Sequence, residues 1–230
     1  MRALLLPIKD LKNAKKRLAG VLTPEERFGL AEAMLKDMLR AVRSVCLAEK
    51  IFVVTSFDPA IRIAQENSWE VLREESQISE SDSVDAASQI CEGRGVDSLL
   101  RMPLDLPLIQ PRDIDELLRL ECQPRSLVIV PSRDGTGTNA LMRTPPTLFP
   151  SHFGNGSFAK HIGEAERAGA QVLIWNNARI EMDVDDESDL RALLRHDLAS
   201  TETGRWLRDS GVDGRFRAKI ATRATLAAGG

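Results

Sequence analysis

Short apolar runs alternate with longer amphipathic segments over most of the chain. Four runs have the length and apolar content of buried strands, namely residues 3–8, 51–55, 98–102 and 127–131. Between the first two of these runs, apolar residues recur at helical spacing, as Leu30, Met34 and Met38 do. This alternation predicts βα units and a largely parallel sheet that is covered by helices.

Residues typical of helix N-termini predict where several helices begin. Thr23, Pro24 and Glu26 combine an N-cap, a proline at the first helical position and a capping-box glutamate, so we predict a helix from there to about Cys46. Further helices are predicted at residues 59–67, 84–91, 111–120, 157–168 and 187–194. Additional short strands are predicted at residues 69–72, 172–175 and 181–184.

Two polar stretches are predicted to be loops. Residues 74–82 are acidic and rich in serine, and they form a candidate lid. Residues 134–158 are rich in Gly, Pro and Thr, which predicts a long functional loop system or a hairpin rather than a linker between domains.

The length, composition and charge of the chain limit the number of domains and the kinds of partner. With 230 residues and 43% hydrophobic content, we expect one α/β domain at residues 1–199. The periodic pattern of apolar residues weakens after residue 199, so residues 200–230 are expected to form a C-terminal extension that is partly disordered. The net charge of −3 argues against nucleic acid as a partner, and no apolar run is long enough for a membrane helix. We therefore expect a cytoplasmic protein with small-molecule partners, and a homodimer stays open.

A basic cluster directly follows the first predicted strand, where doubly wound folds bind ligands. It consists of Lys9, Lys12, Lys15, Lys16 and Arg17. The cluster is suited to a triphosphate, although a solvated polar face has the same charge pattern. The chain has neither the GxGxxG pattern nor a Walker glycine pattern, so the usual dinucleotide fold and the P-loop are unsupported.

Three carboxylates follow predicted strands. Asp105 comes after a leucine-rich run, and Asp183 and Asp185 end the last predicted strand. Side chains two apart in a strand point the same way, so Asp183 and Asp185 face one site. Carboxylates beside phosphates suit Mg²⁺, which we predict as the cofactor held by Asp105, Asp183 and Asp185. The alternatives are a local turn for Asp105, and an N-cap of the next helix for Asp185 or Asp186.

Two glycine-rich segments are candidate binding loops. Residues 131–139 read PSRDGTGTN, and their glycines, threonines and free amides suit an anion. Gly137, Thr138 and Asn139 are therefore candidate substrate-binding residues, with a plain hairpin as the alternative. Residues 153–157 read FGNGS and run into a predicted helix, whose first N–H groups suit a phosphate or a carboxylate.

Six segments in sequence order resemble one known family, the CofC/FbiD guanylyltransferases. They are PIKDLKNAKKRL from Pro7, TPEER from Thr23, DLPLI from Asp105, PSRDGTGTNAL from Pro131, FGNGSFAKH from Phe153 and DVDDESDL from Asp183. The resemblance implies a single-domain, three-layer αβα nucleotidyltransferase fold with a mostly parallel sheet, GT-A-like and similar to the molybdenum-cofactor guanylyltransferases. It also implies GTP as donor, Mg²⁺ as metal and a small phospho-acid as acceptor in the biosynthesis of coenzyme F-420, with the product passed to a downstream F-420 transferase.

The resemblance assigns the metal and the nucleotide to particular residues. The metal carboxylates of the family match Asp105 and Asp183. The contacts to the nucleotide phosphates match the basic cluster, above all Lys9, Lys15 and Arg17. Lys15 and Arg17 are therefore expected to act with the two aspartates in catalysis, by steadying the pyrophosphate that leaves.

The acceptor contacts of the family match Thr138, Gly154 and Ser157. One stretch departs from the family, because this chain reads SVDAAS at residues 83–88 where many members have a GLNAAL-like sequence. Ser83 and Asp85 of this stretch are predicted to line the nucleotide site, and Ser83, Asp85 or Ser88 is predicted to offer a partner to a hydroxyl group of the acceptor. Since a buried hydroxyl without a partner is costly, this stretch favours 3-phospho-D-glycerate over 2-phospho-L-lactate and phosphoenolpyruvate.

Two other functions stay open at this point. A nucleotidyltransferase for molybdopterin or for a sugar phosphate would share the fold. A non-catalytic module that binds GTP would share the phosphate contacts, although pure binding does not require both Asp105 and Asp183.

Overall fold

A computed structural model describes residues 1–76, 79–120 and 123–217. The strands are β1 Arg2–Pro7, β2 Lys50–Thr55, β3 Glu70–Arg73, β4 Ser98–Arg101, β5 Ser126–Pro131, β6 Thr138–Thr144 and β7 Gln171–Ile174. They form one sheet in the order β3-β2-β1-β4-β6-β5-β7. Only β6 runs antiparallel to its neighbours within the described part of the chain, so the predicted mostly parallel sheet is confirmed.

Helices cover both faces of the sheet. Their bounds are α1 Pro24–Arg43, α2 Asp58–Glu66, α3 Glu80–Gly93, α4 Pro111–Arg119, α5 Ser157–Arg167, α6 Glu187–Leu193 and α7 Glu202–Asp209. Apolar residues of α1, α2 and α4 share one core with β1 and β4, whereas α3 and α5 pack on the opposite face. The three-layer arrangement predicted from the sequence is therefore confirmed. The predicted capping box of α1 is also present, with Thr23 Oγ1 accepting from the Glu26 amide at 3.2 Å.

The segment 134–158 is where the sequence-based expectation was wrong in part. Instead of one long loop system, it contains β6, and all seven residues of that strand are buried. The polar residues of β6 hid the strand pattern, because Thr138, Asn139 and Arg143 are buried with partners that lie far away in the sequence. The predicted hairpin between β5 and β6 does exist, at residues 132–137.

The strand predicted at 181–184 is also wrong. This segment is not assigned to a strand, and its backbone bond towards the end of β5 runs from the Arg133 amide to the Glu181 carbonyl at 2.9 Å. The alternation inferred for it still holds, since Met182 and Val184 are buried while Asp183 and Asp185 lie between buried and exposed. The end of the predicted loop 74–82 differs as well, because residues 80–82 form the first turn of α3; residues 77–78 lie outside the described residues.

The first part of the predicted C-terminal extension packs against α1. The buried carboxylate of Asp37 in α1 accepts from the amides of Glu202 and Thr203 at 2.8 and 2.9 Å, which caps the start of α7. Leu207 and Phe216 then share an apolar cluster with the α1 stripe. The division after residue 199 stays a prediction, and residues 218–230 lie outside the described residues. In the described part of the chain, no helix combines the length and the apolar content that crossing a bilayer requires.

Candidate active site

Two adjoining cavities open at the edge of the sheet where β1, β4 and β5 end and β6 begins. The smaller cavity has a volume of about 440 Å³ and the larger one about 750 Å³. Residues that line both cavities mark their junction; they are Glu80, Arg101, Pro103, Asp105 and Asp185. We call the two the β1 cavity and the β6 cavity, after the strands beside which they lie.

The segment after β1 distributes the basic cluster between these cavities. It forms two short 3-10 turns, Leu11–Asn13 and Lys16–Leu18, joined by Lys15 in the left-handed conformation at φ 55°. Lys9 and Lys15 line the β1 cavity, and Arg17 lines the β6 cavity. Only part of the predicted phosphate-binding cluster reaches the cleft, because Lys12 and Lys16 are exposed and line neither cavity.

Lys15 bridges two of the predicted carboxylates. Its Nζ donates to Asp105 and, at 3.0 Å, to Asp185, while Arg17 donates to the other oxygen of Asp185. Burial lowers the pKa of Lys15, but the two carboxylates outweigh burial and raise its pKa above the ordinary value. Burial likewise raises the pKa of Asp185, and the cations Lys15 and Arg17 reverse this to a net lowering. Lys15, Arg17 and Asp185 are therefore all charged at neutral pH.

Asp105 and Asp183 carry negative charge that the protein does not fully neutralise. Oδ1 of Asp105 is buried and has no partner among the described residues. The pKa of Asp183 is raised to about 6, first because the carboxyl is buried and then because of the charge on Asp105. Asn139 opposes this rise by donating to Asp183 at 3.1 Å. A cation between the two carboxylates would relieve both effects.

The predicted trio of metal carboxylates is not assembled. Among the described residues, no group of three His, Cys, Asp or Glu side chains is arranged to hold a metal ion. Both oxygens of Asp185 instead accept from cations, one from Lys15 and the other from Arg17. The alternative role of helix N-cap belongs to Asp186, which accepts from the amide of Ser188 at 2.8 Å.

The hairpin loop 132–137 differs from the predicted nest of free amides. The amides of Gly135, Thr136 and Gly137 all donate within the loop, to Ser132 or Asp134, at 2.7–3.0 Å. A side chain at Gly137 would bring its Cβ to 2.8 Å from the Ser132 hydroxyl, so this closed loop requires glycine there. The loop therefore lines the β6 cavity, together with Thr138 and Asn139 of β6, without offering a row of free N–H groups.

The hydroxyl of Thr138 is oriented by its neighbours. The His161 ring accepts from the His152 amide at Nε2, so in the neutral ring the proton lies on Nδ1, 3.0 Å from Thr138 Oγ1. Burial and the nearby charges of two arginines lower the pKa of His161 to about 3, which keeps the ring neutral. Thr138 Oγ1 also accepts from Ser157 at 3.2 Å. Because both lone pairs are used, the Thr138 hydroxyl is left to act as a donor.

The start of α5 completes the β6 cavity. Gly156 caps the helix in the left-handed conformation at φ 67°, which only glycine adopts without strain, and Ser157 then begins the helix. The five predicted substrate-binding residues all line this cavity; they are Gly137, Thr138, Asn139, Gly154 and Ser157. The structure thus brings them together in the cavity that Asp105 and Asp183 also line.

The polar stretch of α3 lies elsewhere. Ser83, Asp85 and Ser88 line neither cavity, so the geometry does not support their predicted contacts with the nucleotide and with an acceptor hydroxyl, which stay a prediction. Asp85 and Ser88 instead accept from the buried guanidinium of Arg143, at 3.1 and 2.7 Å. The hydroxyl of Ser83 is buried without a partner among the described residues. The stretch is polar because a buried arginine needs polar partners.

One residue of the site was missed by the sequence reasoning. Arg101 ends β4, lines both cavities and has a buried side chain that donates to Glu80 and to the Thr138 carbonyl. Burial lowers the pKa of Arg101 to about 9, and the charge of Asp105 only partly opposes this. The available signal was a cation inside the leucine-rich run SLLRMP, just before Asp105.

Comparisons with known proteins match this chain over most of its length. The family described as "Guanylyl transferase CofC like" matches residues 1–227. A phosphoenolpyruvate guanylyltransferase from Rubrobacter xylanophilus is 36% identical over 194 residues, which cover 82% of this chain and 91% of the relative. A 2-phospho-L-lactate guanylyltransferase from Methanothermobacter thermautotrophicus is 30% identical over 193 residues, which cover 84% of this chain and 83% of the relative.

Solved structures show the same fold at lower identity. A protein from Desulfovibrio desulfuricans G20, assigned to the nucleotide-diphospho-sugar transferases, superposes with a TM-score of 0.74 at 18% identity, covering 93% of this chain and 96% of the other. The synthetase of CMP-2-keto-3-deoxy-manno-octonic acid superposes with a TM-score of 0.53 at 13% identity, covering 84% and 96%. At these identities the likeness concerns the fold alone.

Proposed function

The chain belongs to the CofC-like guanylyl transferase family, a class of nucleotidyltransferases, and on that premise we propose that it transfers GMP from GTP to a small phosphorylated carboxylic acid. Pyrophosphate is the leaving group, and the product serves the biosynthesis of coenzyme F-420. The observation that carries the proposal is the junction of the two cavities at Asp105, beside Asp183. Such a junction suits a reaction between two bound substrates.

Each cavity suits one substrate. The β1 cavity presents the cations Lys9 and Lys15, as a triphosphate requires. The β6 cavity presents the donor hydroxyl of Thr138 together with Ser157 at the start of α5, as an anionic acceptor requires. In the proposed reaction, a phosphate oxygen of the acceptor forms a bond to the α-phosphorus of GTP, and the bond from that phosphorus to the pyrophosphate oxygen breaks.

Magnesium fits the two carboxylates that lack a cation. Asp105 has a buried oxygen without a partner among the described residues, and the pKa of Asp183 is raised because it is buried beside Asp105. Oxygen ligands of this kind are those that Mg²⁺ prefers, and the bound ion would supply neutralisation of phosphate charge. Asp105 and Asp183 would hold it, while Lys15 keeps its place on the other oxygen of Asp105.

The chain's own residues perform positioning rather than proton transfer. The acceptor phosphate already carries its negative charge, so no general base is required. Lys15 and Arg17, fixed by Asp185, steady the departing pyrophosphate. Asn139 orients Asp183, and Thr138 orients the acceptor.

We favour phosphoenolpyruvate as the acceptor. The relative at 36% identity carries that activity in its name. The expectation of 3-phospho-D-glycerate depended on Ser83, Asp85 and Ser88, and these residues line neither cavity, which is a second reason to favour phosphoenolpyruvate.

The test is pyrophosphate release by the purified protein with Mg²⁺. GTP, CTP and ATP are each combined with phosphoenolpyruvate, 2-phospho-L-lactate and 3-phospho-D-glycerate. The highest kcat/KM is expected with GTP and phosphoenolpyruvate, and none after chelation of the metal. Absence of pyrophosphate in all nine combinations would reject the proposed function, and preference for CTP or ATP would reject the guanylyl donor.

Two variants test the metal carboxylates. Asp105→Asn and Asp183→Asn should each lower kcat/KM by about 100-fold or more, because each removes a negative charge that would bind the magnesium ion. The matched control is Asp209→Asn, at the exposed end of α7 and outside both cavities. Equal activity of all three variants would contradict the assignment.

A further inference from the structure

Arg101 occupies an unusual position for a buried cation. Its side chain is 6% exposed and lies over the ring of Phe153, with the guanidinium carbon 4.1 Å from the ring centre. One terminal nitrogen donates to the carbonyl of Thr138 at 3.3 Å, and the other donates to the carboxylate of Glu80. The guanidinium is thus held at the junction of the two cavities, next to the residue that orients the acceptor.

The hydrogen bonds of Arg101 are incomplete. Its Nε is buried and has no partner among the described residues. Leaving a buried charged donor unpaired costs more free energy than a normal hydrogen bond provides. A bound anion would complete the set of five donors that an arginine offers in one plane.

The other two arginines of the β6 cavity are already engaged. Arg17 donates to Asp185, and Arg133 donates to Asp189 at 2.8 Å. Acidic side chains outnumber these cations around the cavity; they are Glu80, Asp105, Asp134, Asp183, Asp185, Asp186 and Asp189. An acceptor with several negative charges therefore needs a cation that can be released from its carboxylate.

Glu80 is the carboxylate that can move away from its cation. It lies in the first turn of α3 and is 32% exposed, so water can solvate it without rearrangement of the core. Arg101, on a buried strand and stacked on Phe153, cannot follow it. The pair is therefore asymmetric, with a fixed cation and a movable anion.

We propose that Arg101 binds an oxyanion of the acceptor and that Glu80 holds this arginine as an internal competitor until the acceptor displaces it. The inference rests on the proposed function and adds to it a residue that selects anionic acceptors. It makes an unusual prediction, because removing a charge next to the substrate site should improve binding of the substrate.

The test is steady-state kinetics at saturating GTP and saturating Mg²⁺. Arg101→Gln should raise the KM for the acceptor about 10-fold or more, because a charge-assisted bond is lost. Arg101→Lys should recover only part of this, since a lysine lacks the planar fork. Glu80→Gln should lower the KM for the acceptor several-fold, and in the double variant with Arg101→Gln that gain should vanish.

A matched control lies on the same helix. Glu92 of α3 accepts from Thr147 and lines neither cavity, so Glu92→Gln should leave the KM for the acceptor unchanged. Thermal unfolding confirms that each variant is folded. A rise in acceptor KM in Glu80→Gln would show that Glu80 merely positions Arg101. In a second series, with GTP varied at saturating acceptor, a rise in GTP KM alone in Arg101→Gln would assign the arginine to the nucleotide. Either result overturns the proposal.

Failure of this proposal is distinguishable from failure of the proposed function. Titration calorimetry with phosphoenolpyruvate, without GTP, measures acceptor binding alone. If the wild-type protein shows no turnover, tighter binding in Glu80→Gln than in wild type still supports the exchange at Arg101, and equal binding refutes it. If wild type turns over and Arg101→Gln binds the acceptor as tightly as wild type, the exchange is refuted while the guanylyltransferase activity stands.

Discussion

Two buried arginines on the neighbouring strands β4 and β6 have nearly the same environment. The side chains of Arg101 and Arg143 are 6% and 3% exposed, and each pairs with an acidic residue of α3. Each also lies over a phenylalanine ring, at 4.1 Å for Arg101 and 5.6 Å for Arg143.

The two differ in how completely their donors are used. Arg143 donates to Asp85, Ser88 and the Phe149 carbonyl, and within the described residues it leaves no buried nitrogen without a partner. Arg101 leaves its Nε unpaired and borders both cavities. Burial and charge pairing alone therefore do not separate a structural arginine from a binding one; the unused donor and the open space do.

The largest effect on stability is expected at Arg143. Arg143→Gln should lower the free energy of unfolding by about 3 kcal/mol or more, because removing one partner of a buried ion pair leaves the other uncompensated. Urea denaturation measures the loss, with Arg208→Gln on the exposed side of α7 as control. Activity per folded molecule should stay within about twofold of wild type, since Arg143 lies outside both cavities.

His161 gives the second prediction, because its pKa responds to both arginines. Its folded pKa of about 3 lies below the unfolded value of about 6.5, so between these values only the unfolded chain binds the proton. Stability should therefore fall as the pH drops below about 6.5. Between pH 7.5 and 5, wild type should lose about 2 kcal/mol more than His161→Asn, which keeps a donor near Thr138 but does not titrate. Parallel curves for the two proteins would contradict the neutral ring.

A smaller effect on stability is expected at Arg101. Arg101→Gln should cost less than about 1.5 kcal/mol, because it removes an unpaired donor and leaves Glu80 able to reach water. Urea denaturation of this variant beside Arg143→Gln makes the comparison direct. Equal losses in the two variants would mean that the arginines have the same structural role.

The smallest effect is expected at Ser83. Its buried hydroxyl has no partner among the described residues, so Ser83→Ala should change stability by less than about 1 kcal/mol, in the stabilising direction. The KM for GTP should not change, since Ser83 borders neither cavity. A clear rise in that KM would restore the nucleotide-binding role first predicted from the sequence.

The sequence was sufficient where the signals are local. The capping box at Thr23 and Glu26 defines the start of α1, and apolar runs locate β1 and β2 to within a residue or so. It was insufficient for β6, because the burial of Arg143 depends on Asp85, 58 positions away. Pairings of this kind have no signature in one segment.

The residues of the candidate site also fall into two groups, those that local sequence signals locate and those that depend on distant contacts. Asp105 and the glycine-rich turn before α5 were found because strand ends and helix starts are visible in the sequence. The role of Arg101 was not, because it depends on contacts with Glu80 and Phe153 that only the folded chain creates. The contact of Asp85 with Arg143 is likewise visible only in the folded chain.

Thr138 and Asn139, the first two residues of β6, have a consequence for how this protein can change during evolution. Thr138 faces His161, whereas Asn139 contacts Asp183 on the other side of the strand. A slip of β6 by one residue would exchange the two faces and lose the acceptor contact and the metal contact in one event. An insertion within the strand would therefore disrupt both contacts at once, and the two residues must be inherited as a pair.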